Sequence, residues 1–177
     1  MIFTETKLKG LFIIDVEAIS DERGFFARTF CQKEFAQRGL ISEFVQCSIS
    51  HNKAKGTLRG MHYQARPHEE VKIVSCIRGA IFDVSIDLRP DSYSYKQWVG
   101  VELTAENNRS LYIPEGCAHG FLTLRDDAEV YYQISTFFHP NSAKGLKWDD
   151  PAFGIEWLET PIVVSEKDDS FEPFESE

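Results

Sequence analysis

Short strand-like runs separated by turn residues recur along most of the 177-residue sequence, and they constrain its fold more than any other feature. The clearest run is AIFDVSIDL, residues 80–88, in which every second residue is apolar and Asp83, Ser85 and Asp87 fall on the other face. Similar runs rich in β-branched and aromatic residues are GLFIIDVEAI, EFVQCSIS, VKIVSCI, KQWVGVEL, SLYIP, GFLTL and EVYYQISTFF. Only CQKEFAQRG predicts a helix, which Gly39 is placed to end. Many short strands without a βα alternation predict an all-β sandwich or barrel.

The length and composition predict one folded unit. A chain of 177 residues that is 42% hydrophobic can bury one core, so we expect a single domain over residues 1–177. No apolar run approaches the roughly 20 residues that cross a bilayer, and the first residues lack the features of a signal peptide. The four cysteines form no Cys-x-x-Cys pair and indicate neither a zinc knuckle nor a disulfide framework. These features predict a cytoplasmic protein that does not enter a membrane.

The net charge of −9 is confined to the C-terminal segment. Residues 149–177 hold ten acidic residues and one lysine, which leaves the first 148 residues with 18 charged residues of each sign. We therefore expect an electrically balanced body followed by a short acidic tail at about residues 170–177. The sequence has no lysine and arginine stripe with interleaved aromatic residues, so nucleic acid is not an expected partner.

LRGMHYQ, residues 58–64, has the length of a strand but carries Arg59 and His62 among its apolar residues. Strict alternation would place these two side chains on opposite faces, so the strand has to bulge if both are to meet one ligand. Gly60 lies between them and is the residue type that permits such a bend. The alternative for His62 is a hydrogen-bonded or solvated strand histidine without a function, and the basic residues that follow, including Lys72, weigh against it.

IPEGCAHGF, residues 113–121, is a turn followed by His119, and it matches the Pro-x-Gly-x-x-His arrangement of the cupin jelly rolls. In metal-binding cupins a first motif supplies His-x-His and a glutamate. Here Gln64 replaces the second histidine of that motif, and His68 with either of the following glutamates has the wrong spacing to substitute for it. We expect no metal and no other cofactor.

Three further segments carry side chains that suit either chemistry or a structural role. RGFFARTF, which begins at Arg23, suits binding of a phosphate and a flat ring, although its phenylalanines also suit a core. In AEVYYQ, Tyr131 and Tyr132 face opposite ways, so one of them can point into the barrel and transfer a proton. SEKDD, residues 165–169, is a charge run that by itself predicts solvated surface.

The order of these motifs resembles the dTDP-4-dehydrorhamnose 3,5-epimerase family over nearly the whole chain. The resemblance rests on DERGFFARTF, FVQCSIS, GTLRGMHYQ, YIPEGCAHGFLTL, AEVYYQ, WDDPAFGIEW and SEKD. It implies a metal-free cupin jelly roll, that is, a double-stranded β-helix with few short helices, which forms homodimers. It also implies an isomerase that acts on a nucleotide-diphosphate sugar, a 4-keto-6-deoxyhexose of deoxysugar biosynthesis.

The resemblance also assigns roles to single residues. His62 matches the base that removes the proton beside the ketone, and Asp168 rather than Asp169 matches the carboxylate that pairs with it. Tyr132 matches the acid on the opposite face of the sugar, and Lys72 matches a lysine near the carbonyl oxygen. The positions that hold the nucleotide diphosphate or the sugar are Arg23, Phe26, Gln46, Arg59 and His119.

Four departures from the family pattern concern the recognition of the substrate. Arg28 replaces a glutamate that contacts the nucleotide base, and Ser48 replaces an asparagine. The sequence therefore does not decide whether the base is thymine. Glu70-Val71 replaces a Gln-Gly pair before the lysine. Phe137 and Phe138 replace two tyrosines at the pocket, which bears on how many carbons are inverted.

We therefore predict a cofactor-independent epimerase that inverts carbon 3, carbon 5 or both on a dTDP-type sugar. The alternatives are a single-carbon epimerase that acts on a dTDP- or CDP-linked sugar, a non-catalytic cupin that binds a sugar nucleotide, and a metal-dependent cupin enzyme.

Overall fold

Residues 1–174 are described by the computed structural model, and nearly all of their regular structure is β. The strands are β1 (Ile2–Glu5), β2 (Phe12–Asp15), β3 (Ile19–Asp21), β4 (Gly24–Phe26), β5 (Gln46–Asn52), β6 (Leu58–Gln64), β7 (Lys72–Arg78), β8 (Ala80–Asp87), β9 (Trp98–Thr104), β10 (Ser110–Ile113), β11 (Cys117–Thr123), β12 (Ala128–Ile134) and β13 (Ala143–Gly145). The helices are α1 (Gln32–Ala36) and α2 (Glu166–Asp169). Neither is long or apolar enough to cross a membrane, and this holds for the whole described part of the chain.

Two antiparallel sheets face each other across a shared core. One sheet has the order β1-β2-β10-β7-β12-β5 and the other β13-β6-β11-β8-β9, while β3 and β4 form a separate hairpin. Val74 and Val130 of the first sheet pack with Ile81 and Phe121 of the second, and full burial of side chains of this kind stabilises the fold by roughly 1.5–3 kcal/mol each. From β5 onward the chain passes mostly from one sheet to the other, which confirms the predicted all-β jelly roll.

Both faces of β8 are buried, which explains its regular alternation. Its apolar face, with Phe82 and Val84, packs under Leu146 and Phe153 of the C-terminal segment. Its other face carries Asp83, which is paired with Phe121 of the neighbouring strand β11. Because buried polar groups need hydrogen-bond partners, the polar face of β8 indicates that its side chains form hydrogen bonds inside the barrel.

Some element boundaries differ from the sequence prediction. β11 begins at Cys117, three residues before the apolar run that predicts it, so His119 lies within a strand and not in the preceding turn. The predicted helix is shorter than its pattern, and the chain turns at Gly39, where φ is +69°. The sequence pattern does not predict β13 or α2, because both are short and are held by contacts with β6.

The segment expected to form an acidic tail packs on the barrel as far as it is described. Phe171 lies over Gly145, where a Cβ atom would come within 2.1 Å of the phenyl ring. The backbone N–H of Phe174 donates to Asp150 Oδ2 at 2.6 Å. Residues 175–177 of the expected tail lie outside the described residues.

Candidate active site

β6 bulges where Arg59 and His62 have to share a face. Between these two residues, the register of β6 against β11 shifts, so that three steps along β6 match two along β11. Gly60 has a φ of +133°, and a Cβ atom there would lie 2.5 Å from the Cα of Gly120, so only glycine fits. The bend expected at Gly60 is present, and both Arg59 and His62 face the barrel interior.

His62 forms a hydrogen bond with a buried carboxylate from the C-terminal helix. Its Nε2 lies 2.8 Å from Asp168 Oδ1, and Asp168 Oδ2 accepts the N–H of Gly60 at 3.1 Å. Ser165 caps α2 by accepting the N–H of Asp168. In neutral imidazole this arrangement places the ring proton on Nε2 and leaves Nδ1 as the basic nitrogen.

The charge of Asp168 is favoured despite its burial. Burial by itself raises the pKa of this carboxyl group, but the hydrogen bond and positive charge of His62 and the N–H of Gly60 outweigh it, so the pKa is lower than usual. The Asp168 side chain is 6% exposed, whereas that of His62 is 42% exposed. The histidine is therefore accessible to a ligand while its partner is not.

Tyr132 approaches the same space from the opposite sheet. Its ring stands edge-on to that of His119 with centroids 6.2 Å apart, and His119 is directly opposite His62 in the pairing of β11 with β6. The phenol oxygen lies 3.4 Å from Ser50 Oγ. Burial, supported by the negative charge of Asp83, raises the pKa of Tyr132 well above its usual value. Tyr132 therefore keeps its proton at neutral pH and can donate it.

His119 is paired with a carboxylate that the sequence prediction left without a role. His119 Nε2 lies 2.8 Å from Asp83 Oδ2, and the two side chains are 6% and 0% exposed. Burial raises the pKa of Asp83, although His119 and Lys72 act in the opposite direction. Within residues 1–174, Asp83 Oδ1 and Ser85 Oγ are buried without a hydrogen-bond partner. The signal that could have indicated Asp83 is the polar face of the fully buried β8.

Lys72 lies inside the barrel beside Tyr132. Lys72 and Val74 share the inner face of β7, and Val74 is directly opposite Tyr132 on β12. The ammonium group of Lys72 lies 2.8 Å from Glu70 Oε1. The ion pair with Glu70 is a feature that sequence reasoning missed.

Arg59 is linked to Tyr132 through the edge strand β5. Arg59 Nε donates to Asn52 Oδ1 at 2.7 Å, and Asn52 Nδ2 donates to Ser50 Oγ at 3.4 Å. Ser50 is also the hydrogen-bond partner of the Tyr132 phenol. The cation at the open edge and the phenol inside therefore belong to one hydrogen-bonded chain.

The Gln64 side chain, at the position where metal-binding cupins carry a histidine, is hydrogen-bonded to backbone groups. Its amide nitrogen donates to the carbonyl groups of His68 and Phe137, and its oxygen accepts the N–H of His139 at 2.7 Å. The His68 and His139 rings stack with centroids 3.5 Å apart. In the described part of the chain, no group of three His, Cys, Asp or Glu residues is arranged to hold a metal ion.

A cavity of about 180 Å³ opens beside His62. Its lining residues are His62, Tyr63, Gln64, Glu70, Phe138, Ala143, Lys144, Lys167 and Phe171. Lys144 and Lys167 bring positive charge to its rim, and sequence reasoning identified neither. Of His62, Lys72 and Tyr132, only His62 lines this cavity. A larger cleft of about 860 Å³, lined by Lys9, Arg66 and Arg89 among others, contains none of the three.

Comparison of the sequence with known proteins identifies the family. The sequence model described as dTDP-4-dehydrorhamnose 3,5-epimerase matches residues 5–176. The chain is 44% identical over 174 residues to the dTDP-4-dehydrorhamnose 3,5-epimerase of Methanothermobacter thermautotrophicus, covering 97% of this chain and 93% of that protein. The chain belongs to the dTDP-4-dehydrorhamnose 3,5-epimerase family.

Solved structures of this epimerase family have the same fold. The enzyme from Elizabethkingia anophelis superposes with a TM-score of 0.95 at 37% identity, covering 98% of this chain and 96% of that chain. The Legionella pneumophila enzyme, solved in complex with dTDP-4-keto-L-rhamnose, superposes with a TM-score of 0.90 at 38% identity, covering 97% and 91% of the two chains. By its family, the protein is a carbohydrate epimerase.

Three of the family's substrate positions lie away from this interior. Arg23 and Phe26 are on the hairpin of β3 and β4, which pair only with each other. Arg23 is 85% exposed and forms an ion pair with Asp21, and Phe26 is 74% exposed. Arg28 follows the hairpin and lies 3.6 Å from Glu34 of α1. In the part of the chain that the structure describes, the hairpin shares no sheet with the strands of the inner site.

Ser48, Gln46 and Phe138 lie at the open edge of the interior. Ser48 stands opposite Tyr132 on β5 and is exposed. Gln46 Oε1 accepts the N–H of Phe138 at 2.6 Å, and the Phe138 side chain is 63% exposed and lines the cavity beside His62. The structure therefore brings the edge residues and the inner residues together, and separates both from the hairpin.

Proposed function

We propose that the protein is a cofactor-independent epimerase that inverts C3 and C5 of a dTDP-linked 4-keto-6-deoxyhexose in deoxysugar biosynthesis. The observation that carries the proposal is the hydrogen bond between His62 and Asp168, on an inner face that Tyr132 approaches from the other sheet. Membership of the epimerase family supports the reaction class. The chemistry requires neither a metal ion nor an organic cofactor.

In the proposed mechanism, His62 acts as the base. The hydrogens on C3 and C5 are acidic because the C4 ketone takes up the negative charge as an enolate. Nδ1 of His62 removes the proton, and Asp168 stabilises the imidazolium ion that forms. The ammonium group of Lys72 stabilises the enolate oxygen. Tyr132, a phenol that is protonated at neutral pH, then gives its proton to the carbon from the other face, so the configuration inverts. The Tyr132 phenolate regains a proton from solvent, and the His62 imidazolium loses one to solvent, which restores the site.

The nucleotide is proposed to be dTDP. The Legionella pneumophila relative was solved with a dTDP sugar, and Arg59 at the open edge suits a diphosphate group. Ser48 and Arg28, however, stand where the family carries asparagine and glutamate, and Arg28 is paired with Glu34. A CDP-linked sugar is therefore the alternative substrate.

Inversion at a single carbon is the second candidate function. Phe137 and Phe138 stand where the family carries tyrosines, so no hydroxyl group is available there to hold a sugar turned for the second proton transfer. Phe138 lines the cavity beside His62. From this position, replacement of a tyrosine by Phe138 would change how the sugar binds after the first inversion.

The protein is also proposed to work as a cytoplasmic homodimer in which each subunit forms one domain. Four free thiols suit a reducing compartment. Ile49 and Ile77, on the outer face of the six-stranded sheet, are 61% and 47% exposed in the single chain. Exposed apolar side chains of this kind suit a surface that a second subunit covers. Because the β3–β4 hairpin does not reach the site of its own chain, we propose that Arg23 and Phe26 complete the site of the partner subunit.

Deuterium incorporation tests this function carbon by carbon. The protein is incubated in deuterated water with a dTDP-linked 4-keto-6-deoxyhexose or its CDP counterpart, and C3 and C5 are followed by NMR. We expect deuterium at both carbons of the dTDP sugar. Deuterium at one carbon only supports the single-carbon alternative, and turnover of the CDP sugar alone supports the other nucleotide. Absence of exchange with either substrate overturns the proposal.

A further inference from the structure

A shielded ion pair holds the lysine of the candidate site. Lys72 Nζ and Glu70 Oε1 are 2.8 Å apart, and the two side chains are 12% and 11% exposed. At this exposure water screens the two charges weakly, so their attraction restrains the lysine more than a surface ion pair would. The sequence pattern makes this carboxylate distinctive, because Glu70 replaces a neutral glutamine of the family pattern.

The backbone on both sides of Glu70 is fixed to the end of β12. Val71 N–H donates to Ser135 Oγ at 2.8 Å, and Ser135 N–H donates to the Val71 carbonyl at 3.0 Å. On the other side, Thr136 Oγ1 donates to the Glu69 carbonyl at 2.8 Å. The position of Glu70 is therefore set by the fold before any substrate binds, which lowers the entropy lost on ordering its side chain.

Glu70 faces the cavity where the sugar is proposed to bind. It lines the same cavity as His62 and Phe138. The charge of Lys72 also acts on Asp83, deeper in the barrel. A lysine has a flexible four-carbon stem, and the ion pair with Glu70 restrains its ammonium group beside the cavity.

We propose that Glu70 is a positioning residue, which directs the ammonium group of Lys72 at the C4 carbonyl oxygen of the bound sugar. This inference rests on the proposed epimerase function. An ammonium group has three N–H donors, so the bond to Glu70 leaves two for the enolate oxygen. Glu70 itself does not touch the reacting atoms.

Substitutions at Glu70, alone and together with Lys72→Ala, test the inference. Glu70→Ala is expected to lower kcat by roughly 10- to 100-fold, because misplacement of a catalytic group by about 1 Å costs this much, with KM within about 3-fold of the wild-type value. Glu70→Gln retains an oxygen that accepts the lysine N–H, and we expect a smaller loss, several-fold in kcat. In the Lys72→Ala background, Glu70→Ala is expected to have no further effect on deuterium exchange.

Glu69→Ala is the matched control. Glu69 is the neighbouring carboxylate, and its ion pair is with Arg66, whose side chain is 88% exposed. We expect wild-type kcat for this variant.

Two results overturn the inference. One is an unchanged kcat in the Glu70 variants, and the other is an equal loss with and without Lys72, which would mean that Glu70 only supports the fold. Thermal unfolding is measured for every variant, and if Glu70→Ala does not fold, the kcat of Glu70→Gln decides. Absence of turnover by the wild-type protein is a separate result, which overturns the proposed function and, with it, the role of Glu70.

Discussion

The barrel interior holds its reactive side chains with partners from the same chain, whereas the β3–β4 hairpin exposes its own. His62 is paired with Asp168, Lys72 with Glu70, and the phenol of Tyr132 with Ser50. His62, Lys72 and Tyr132 themselves are on strands that are hydrogen-bonded within the two sheets. On the hairpin, Phe26 is 74% exposed.

The difference reflects what each half of the function requires. Proton transfer needs reacting atoms within hydrogen-bond reach, and a displacement of about 1 Å costs roughly a factor of 100. Its residues therefore lie on paired strands. Holding a nucleotide requires surface and charge, which a second subunit can supply on binding. In the proposed function, the preorganised reaction centre is therefore separate from the hairpin that would bind the nucleotide in the partner subunit.

The largest expected effect follows from removing the base. His62→Asn is expected to lower deuterium exchange at C3 and C5 by roughly 10³-fold, the range for loss of a general base. The exchange is measured by NMR in deuterated water. His51→Asn is the control, since His51 is an exposed histidine near Asp127 and Glu129 on the outside. Exchange within about 10-fold of wild type in His62→Asn would place the base outside the interior.

Removing the Tyr132 phenol is expected to separate exchange from inversion. Tyr132→Phe leaves His62 able to remove a proton and return one from solvent to the same face. We therefore expect inversion to fall by roughly 10²-fold while exchange continues. Product configuration and deuterium content are measured in the same NMR sample. Tyr131→Phe, on the opposite face of β12, is expected to behave as wild type, and equal losses in both variants would contradict the assignment.

Neutralising Asp168 is expected to have a smaller effect than removing the base. Asp168→Asn leaves His62 in place but weakens its orientation and its positive charge in the transition state. We expect kcat to fall by roughly 10- to 100-fold, by analogy with carboxylates that orient metal-bound histidines. Asp169→Asn is the control, because Asp169 accepts a 3.4 Å hydrogen bond from Trp148 Nε1 and Asn retains the accepting oxygen. A kcat for Asp168→Asn equal to that of Asp169→Asn would contradict the pairing.

The same variant changes the pH dependence of stability. Since the pKa of Asp168 is lowered in the folded protein, its carboxylate stabilises the fold above the usual value of 3.8, and this contribution is lost as the pH falls through the lower folded value. The free energy of unfolding of the wild type should exceed that of Asp168→Asn at about pH 6 and approach it once the pH lies well below the folded pKa of Asp168. Denaturant unfolding measured over this pH range gives the difference.

The hairpin is expected to affect binding and not the chemical step. Arg23→Ala with Phe26→Ala removes a cation and an aromatic surface that touch no residue of the inner site. We expect KM for the dTDP sugar to rise by roughly 10-fold, about 1.4 kcal/mol, with kcat unchanged in steady-state kinetics. A fall in kcat at saturating substrate would erase the distinction between the two regions.

The local parts of this arrangement are accessible from the sequence, and the long-range parts are not. The bulge at Gly60 follows from alternation within seven residues. The pairing of His62 with Asp168 joins residues that are 106 positions apart. The alternation of residues along a strand does not predict this pairing, so its prediction depends on the family resemblance. Local patterns assign no role to Asp83 or Glu70, because the partners of these two residues are set by strand register and by the turn before β7.

The separation of the two regions can be tested most directly with mixed dimers. His62→Asn and Arg23→Ala/Phe26→Ala chains with different tags are co-expressed, and the dimer that carries both tags is assayed at low substrate concentration. If the hairpin completes the partner's site, each mixed dimer has one intact site, and we expect about half of the wild-type activity. Activity no higher than the mean of the two parent variants, or failure to obtain a mixed dimer, would contradict the account.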